Sequence, residues 1–403
     1  MHTPQNMSPA TVVFLLALFM GIQPVTTDLY LPALPALAHN LQANMAQAQY
    51  TLSALLLAFG ASQLVWGPLS DRIGRKPILI AGLTAYVLAS LGSAFAGTIT
   101  SLIYWRIVQG LAMGAVVMCG RALVRDLYEP VDGAKVMSKG LSGLGVIACL
   151  SAPIGGWLVS LWNTTAALMA LAVFGAVTLW MVLVHFRESL AHKNPNALRV
   201  NTLLRTWLAI LTNPVFLTYN ALSFASYGIL FTFLATSSFV FIKGFGMSST
   251  AYGLLMLGMS AHYIGGTFLC RRLLVRVGIT QTLAIAGGIS LAGGLAMAVL
   301  AWLGVQSPWA IALPFYLIAI GHGIHQPCGQ SGAVGPFPHA AGAASAMNGF
   351  LMMVVAFVTG AWLSTNPSLH SHGDAQPMVT SVVFWSICVA LVAWTAVQKY
   401  GKH

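Results

Sequence analysis

One acidic residue lies inside an apolar segment of the chain. The sequence contains seven acids, and six of them fall in loops or at predicted helix ends, whereas Asp28 follows the apolar run that begins at Val12. An ionised side chain at the centre of a membrane span costs about 2.5–3.5 kcal/mol on insertion scales, so such a residue is a functional candidate by default. A carboxyl group whose contact with water alternates between two sides can carry a proton. Asp28 is therefore the predicted proton-coupling residue.

Arg106 is the one basic residue in the interior of a predicted span, away from its ends, and it is the expected partner of Asp28. Because a helix rises 1.5 Å per residue, both side chains should lie about 10–12 Å below the same membrane surface. We expect the two to pair directly or through water, so that both take part in proton coupling. A permanent ion pair that only joins the first and fourth spans is the alternative.

Three histidines in apolar segments are the alternative proton carriers, because imidazole titrates near neutral pH. His322 and His325 are three residues apart and share a helical face, while His262 lies in the eighth span. A metal site is conceivable, but no carboxylate or thiolate occurs at matching spacing. A hydrogen-bonded packing role is the favoured interpretation of all three, and no metal is expected.

Aromatic side chains of the seventh span form part of a candidate substrate pocket. Asn220, Phe224, Tyr227 and Phe231 are spaced four, three and four residues apart, which places them on one helical face. Aromatic rings and flexible methionines suit a pocket for varied lipophilic molecules, although such a stripe also occurs in cores and on lipid-facing surfaces. The further residues expected to bind substrate are Tyr30, Gln109, Met113, Met256, His262 and His325.

The elements that position these residues are predicted to be membrane-spanning helices. The chain is 58% hydrophobic and 6% charged, whereas soluble domains carry roughly 25% charged residues. Apolar segments of about 20 residues are long enough to cross a bilayer. Twelve are found, near residues 11–34, 47–67, 77–96, 98–120, 138–160, 163–185, 209–240, 249–270, 278–303, 308–328, 340–364 and 376–398.

The basic residues predict the orientation of these spans. Of the 18 lysines and arginines, all but Arg106 and Lys243 fall in alternate loops or at the C-terminus, on one side of the predicted membrane. Cytoplasmic loops hold such an excess, so both termini are expected in the cytoplasm. The net charge of +11 is explained in this way, and nucleic acid is not an expected partner.

A polar stretch near the middle divides the chain into two halves. It runs from Phe186 to Thr206 and is the longest interruption between apolar segments. The predicted organisation is an N-terminal six-helix bundle over residues 1–186, a cytoplasmic linker over 187–207 and a C-terminal six-helix bundle over 208–403. Repeated halves of this kind are typical of transporters, whose substrate lies near the midplane between them.

Enzymatic chemistry has no support in the sequence. No nucleophile and base at suitable spacing and no metal motif occur, and the glycine-containing loop Gly67–Lys76 lacks the strand and the Lys-Ser/Thr ending of a phosphate-binding loop. The five cysteines lie in apolar segments without paired spacing and are interpreted as small packing residues. We expect neither catalysis nor a cofactor.

The loop Gly67–Lys76 combines acidic and basic residues. Gly67 and Gly74 are expected to allow tight turns, and Asp71 to cap a neighbouring helix and to pair with Arg75 or Arg121. A loop that only sets membrane orientation would explain Arg72 and the other cations but not Asp71. The corresponding segment of the second half ends at Cys270-Arg271-Arg272, where Cys270 replaces the acid.

Several segments resemble one family. Gly67–Lys76 is similar to the cytoplasmic signature loop of the major facilitator superfamily, Arg106–Gly110 to the fourth-helix motif of its proton-driven members, and Ala152–Gly156 to the fifth-helix motif of its antiporters. Antiporters usually have glycine where this chain has Ala152. The segments that resemble the bicyclomycin-resistance (Bcr/CflA) group of drug–proton antiporters are Asp28–Pro35, Arg121–Tyr128 and Phe337–Gly342.

The resemblance implies an all-α fold of twelve transmembrane helices in two six-helix halves. It further implies a functional monomer in the bacterial inner membrane that exports small lipophilic antibiotics, driven by the proton gradient. Because one membrane acid leaves no spare carboxylate for a cationic drug, neutral substrates are favoured. A proton-coupled carrier of a metabolite such as a sugar, purine or amino acid is the alternative. The residues implied in gating are Gly67, Asp71, Arg72, Gly74, Arg75, Arg121, Asp126, Pro153, Gly155 and Gly156.

Overall fold

The computed structural model describes residues 7–128, 130–190, 193, 197–365 and 374–401, and its regular elements in that part of the chain are all helical. Part of the predicted linker over 187–207 lies outside the described residues. The first half contains α1 (Pro9–Asp28), α2 (Leu34–Asn40), α3 (Met45–Ile73), α4 (Arg75–Ala94), α5 (Ile99–Leu127), α6 (Pro130–Leu161) and α7 (Thr164–His185).

The second half has the same kind of architecture after a short connecting helix. Its elements are α8 (Val200–Leu211), α9 (Pro214–Ser238), a π-helical extension (Phe239–Gly244), α10 (Ser249–Trp302), α11 (Trp309–Val334), α12 (Ala341–Ser364), α13 (Gln376–Trp394) and α14 (Ala396–Tyr400).

The twelve predicted spans are confirmed. Ten described segments are long and apolar enough to cross a membrane, and the 54-residue α10 is one of them. It bends at Gly278, whose φ of 74° is in the left-handed region that favours glycine. The two arms of α10 are therefore separate spans, and the 26-residue α11 completes the set.

The first span is interrupted directly after Asp28. α1 ends at this residue, and a short 3₁₀ segment, Leu31–Ala33, leads into α2. Pro32 and Pro35 account for the break, because proline removes a backbone donor and disfavours a helical conformation of the preceding residue. The proline-rich end of the span thus places Asp28 at a helix terminus.

The two halves meet along two pairs of helices. α3 packs against α12, and α6 packs against the first arm of α10. The start of α4 at Arg75, the end of α7 next to Arg187 and the part of α10 around Arg271 lie at one end of the bundle, which we call the basic side. The Leu31–Ala33 segment lies at the other end, which we call the opposite side. The described parts of both chain ends are on the basic side, since Arg187 N donates to Met7 Sδ and Tyr219 hydroxyl donates to Gly401 O.

Candidate transport site

A cavity of about 230 Å³ lies between the two halves. Its walls come from α1, α3, α5 and α6 on one side and from α9, α10, α11 and α12 on the other. Most of the lining is apolar, and among the described lining residues Asp28 is the only acid and Arg121 the only arginine or lysine. The cavity is therefore mostly apolar, and its described lining contains one carboxylate and one guanidinium group.

Asp28 faces this cavity from the end of α1. Its side chain is half-buried, and Thr27 hydroxyl donates to Asp28 Oδ1 at 2.8 Å. Tyr227 and Tyr252 of the second half are close enough to interact with the carboxylate electrostatically. Asp28 thus lies where a carboxyl group can meet both a cavity molecule and the opposite half of the protein.

Arg106 lies away from the cavity, inside the first half. The residue is fully buried; its Nη1 donates to Gln109 Oε1 at 2.7 Å and its Nη2 to Thr26 O at 3.2 Å. Its Cζ is 4.0 Å from the ring centroid of Tyr30. A delocalised guanidinium is suited to such a combination of fork-like hydrogen bonding and stacking.

Polar residues of α4 extend the network around Arg106. Gln109 Nε2 donates to Ser90 Oγ at 2.7 Å, and Ser90 hydroxyl donates to the carbonyl of Tyr86. The Tyr86 and Thr26 hydroxyls are 2.6 Å apart. Arg106 therefore joins α1, α4 and α5 through neutral groups.

The expected direct pair between Asp28 and Arg106 is not formed. In the described part of the chain, no ion pair within 4.0 Å includes either residue. Arg106 contacts the backbone of Thr26, and two residues along a helix correspond to a rotation of about 200°. Arg106 therefore reaches the turn of α1 that carries Asp28, but the Asp28 side chain lines the cavity whereas the Arg106 side chain lies within its own half.

The histidine pair forms a hydrogen-bonded cluster in the second half. Ser226 Oγ lies 2.8 Å from His322 Nδ1 and 3.4 Å from His325 Nδ1. His322 lines the cavity, whereas His325 is fully buried and its Nε2 has no hydrogen-bond partner among the described residues. His262 is outside the cavity, on the exposed surface of α10, and stacks on Tyr316 at 4.6 Å.

Of the ten residues predicted to bind substrate, only Tyr227 lines the cavity in this conformation. Tyr30 and Gln109 contact Arg106. Asn220 Nδ2 donates to Asn348 Oδ1 at 2.8 Å. Phe224 packs edge-on against Trp385. The remaining predicted residues outside the cavity are Met113, Phe231, Met256, His262 and His325.

Other residues line the cavity instead, and sequence reasoning missed them. They include Gln63, Phe59, Gln326, Met352 and Met353. Adjacent methionines in an α12 segment that also contains Gly349 were a usable signal, because flexible sulfur side chains are common at adaptable binding surfaces. The face that each helix presents to the partner half was not predicted.

The acids and bases predicted to form a gate do come together on the basic side. Arg75 Nη2 lies 2.6 Å from Asp71 Oδ1, and Arg75 Nε lies 2.9 Å from Asp126 Oδ2. Arg125 Nη2 adds a longer contact of 3.6 Å to Asp71 Oδ1. Arg72 is exposed and has no ion pair within 4.0 Å among the described residues. The cluster joins the end of α3, the start of α4 and the end of α5.

Glu188, not Asp71, caps the neighbouring helix. Its Oε1 accepts from Arg75 N at 2.9 Å and its Oε2 from Lys76 N at 3.1 Å, so the carboxylate meets the positive end of α4. A Cβ atom on Gly74 would lie 2.6 Å from Glu188 Oε2, and the φ of Gly74 is 122°. The chain can adopt this geometry because residue 74 is glycine. Gly67, by contrast, lies within α3 and forms no turn.

Arg121 is not the partner of Asp71, which pairs with Arg75, the other of its two expected partners. Its Nη1 donates to Ser345 Oγ at 3.1 Å and, over a longer distance of 3.4 Å, to Gln63 Oε1. Ser345 belongs to α12, so this contact links the two halves at the basic side of the cavity. Asp71 is instead within ion-pair distance of Arg75 and Arg125, so the expected pairing with Arg75 or Arg121 is confirmed for Arg75.

On the opposite side the predicted glycines make close contacts. Gly155 approaches the carbonyl of Leu29 and Gly156 that of Ser249, so that a side chain on either glycine would meet backbone. Pro153 lies one turn earlier in α6, next to Gly253 of α10. Thr250 hydroxyl donates to Ser160 Oγ across the same crossing at 3.1 Å. The two halves are therefore tightly closed at this end.

Two helical halves around a central cavity are the architecture of a membrane transporter. The chain matches the family model of the Major Facilitator Superfamily over residues 10–361, and it belongs to that superfamily. The fold agrees: the solved structure of a D-xylose–proton symporter superposes with a TM-score of 0.76 at 13% identity, over 96% of this chain and 97% of that one.

Three relatives carry names that refer to drug resistance. The chain is 29% identical to multidrug resistance protein D of Escherichia coli K12, over 85% of this chain and 86% of the relative. It is 29% identical to the bicyclomycin resistance protein homolog of Haemophilus influenzae, over 89% and 91%. It is 27% identical to a chloramphenicol resistance protein of Pseudomonas aeruginosa, over 98% and 94%.

Proposed function

We propose that the protein is a proton-coupled efflux antiporter of the bacterial inner membrane that exports small, lipophilic, neutral antibiotics. The relatives named for multidrug, bicyclomycin and chloramphenicol resistance support this substrate class. The observation that carries the coupling part is the position of Asp28, the one acid among the described residues of the central cavity. The proton gradient supplies the energy, and no cofactor takes part.

Coupling follows from competition at Asp28. An ionised carboxylate accepts a strong hydrogen bond from a substrate in the cavity, and its protonation removes the charge that strengthens this bond and turns one oxygen into a donor. Substrate and proton then exclude one another, which is the linkage that exchange requires. Arg106 acts here as an organiser of α1, α4 and α5 that holds the first half rigid while Asp28 titrates.

The two halves alternate around this cavity. We assign residues 1–186 and 208–403 to the moving halves and residues 187–207 to the linker between them. The basic side faces the cytoplasm by the positive-inside rule, so the tight α6–α10 crossing closes the periplasmic end. Each half can move as a unit within one chain, and we propose a functional monomer.

Drug uptake into inverted membrane vesicles tests this function. Radiolabelled chloramphenicol is added with and without an imposed pH gradient to vesicles that contain the wild type or Asp28→Asn. We expect gradient-driven uptake by the wild type and its loss in Asp28→Asn. Asp374→Asn is the matched control, because Asp374 is an acid outside the cavity that accepts a hydrogen bond from the backbone of Gln376. An Asp28→Asn protein that still responds to the gradient contradicts the proposal.

A further inference from the structure

Arg121 is a cation whose partners in the described structure are all neutral. Its contacts to Gln63 and Ser345 use a single nitrogen, Nη1. No described carboxylate lies within 4.0 Å of it, and the side chain lines the central cavity. A guanidinium has five N–H donors, so most of those of Arg121 remain available to a molecule in the cavity.

The nearby gate cluster, formed by Asp71, Arg75, Arg125 and Asp126, forms its ion pairs without Arg121. Asp71 is within ion-pair distance of Arg75 and Arg125, at 2.6 Å and 3.6 Å. Asp126 pairs with Arg75 at 2.9 Å. The two acids of the described cluster are thus paired with two other arginines. Arg121, four residues before Arg125 and one turn deeper in α5, is free for another role.

The far end of the cavity has the opposite chemistry. Asp28 Oδ1 accepts one hydrogen bond from Thr27, and Asp28 Oδ2 has no hydrogen-bond donor among the described residues. The rest of the described lining is mostly apolar, with Phe59 from the first half and Met352 from the second, although it also includes amides such as Gln63. A bound molecule therefore meets a hydrogen-bond acceptor at one end, an apolar middle and hydrogen-bond donors at the other end.

We infer that Arg121 is a substrate-binding residue that recognises a hydrogen-bond acceptor group such as a nitro, sulfonyl or carbonyl group. The apolar body of the substrate lies on the walls, and a hydroxyl or amide donor points to Asp28. Protonation of Asp28 releases that donor, while Arg121 keeps its charge throughout. The inference rests on the proposed drug export and adds to it a substrate class and an orientation in the cavity.

A pair of ligands that differ at one end tests this assignment. We use chloramphenicol and its analogue without the nitro group, and we measure equilibrium binding to the purified full-length protein in detergent. The wild type should bind chloramphenicol at least about tenfold more tightly, as expected for a hydrogen bond to a charged group. Arg121→Gln should weaken chloramphenicol binding about tenfold and analogue binding by less than about twofold.

A control variant separates recognition from gating. Ser345→Ala removes the contact between α5 and α12 but leaves the guanidinium, and it should change the affinity of either ligand by less than about twofold. Equal losses of both ligands in Arg121→Gln, or a wild type that binds both equally, overturn the inference while drug transport stands. A wild type that binds neither ligand contradicts the drug-transport proposal and this inference together.

Discussion

Arg106 stacks on Tyr30 instead of pairing with Asp28. The Cζ atom of Arg106 lies 4.0 Å from the ring centroid of Tyr30, and the Tyr30 hydroxyl is 2.7 Å from the Thr51 hydroxyl. The cation is thus held by a ring and by neutral oxygens. This arrangement leaves Asp28 free to change its protonation state without breaking an ion pair.

Asp28→Asn should therefore leave the stability of the protein nearly unchanged. Removal of one member of a buried ion pair typically costs about 3–5 kcal/mol, because the other charge is left without compensation. That cost does not arise here, since Arg106 keeps all of its partners. Thermal unfolding in detergent, followed by tryptophan fluorescence, measures the effect. A lowering of the melting temperature as large as that caused by Arg106→Lys would show that the two residues are paired.

Substitutions of Tyr30 should separate its ring from its hydroxyl. Tyr30→Phe keeps the stacked ring and loses only the contact with Thr51, whereas Tyr30→Leu also loses the cation–π interaction, worth about 2 kcal/mol in a desolvated site. The melting temperature should fall more in Tyr30→Leu than in Tyr30→Phe. Thr51→Val is the matched control, and it should resemble Tyr30→Phe. Equal effects of the two Tyr30 variants would exclude a role for the ring.

The capping role of Glu188 gives a prediction for two glycines. Gly74→Ala should impair transport and lower the yield of folded protein, because residue 74 has a φ of 122° and its Cβ would lie 2.6 Å from Glu188 Oε2. Gly67→Ala should be tolerated, since a Cβ there makes only a 3.5 Å contact with Met118 Cε. Drug tolerance and protein yield in membranes are measured together. The reverse order of severity would contradict the capping geometry.

The α6–α10 crossing should limit opening at the opposite side. Gly156→Val places a side chain against the backbone of Ser249 and should hold this end of the cavity apart. Cys149, which lines the cavity, should then react faster with a membrane-impermeant thiol reagent added from that side. Gly145→Val serves as control, because a Cβ there comes no closer than 3.8 Å to Ile264 Cδ1. Unchanged labelling of Cys149 in Gly156→Val would show that the crossing is not the closed gate.

The spans and the basic loops were predictable because the pattern of hydropathy and charge along the sequence determines them. The break after Asp28 was also predictable, since Pro32 and Pro35 act on their immediate neighbours. The Asp71–Arg75 pair was within reach for the same reason, being separated by one helical turn. Local chemistry was sufficient for each of these features.

The partners of the buried charged side chains could not be predicted without the three-dimensional structure. Arg106 and Asp28 lie at similar depth, but the rotation of α1 about its axis directs Thr26 to Arg106 and Asp28 to the cavity. Glu188 reaches the amide of Arg75 from 113 positions further along the chain. The lining of the cavity depends in the same way on which face each helix turns to the other half, and hydropathy does not distinguish that face when both are apolar.

Proton release on drug binding is the most direct test of the central role of Asp28. Chloramphenicol is added to purified protein in weakly buffered detergent solution near neutral pH, and a pH indicator dye records the protons released. The wild type and His322→Gln should release protons, whereas Asp28→Asn should release none while the drug still binds at high concentration. Release that persists in Asp28→Asn and disappears in His322→Gln would contradict this account and would assign coupling to the histidine.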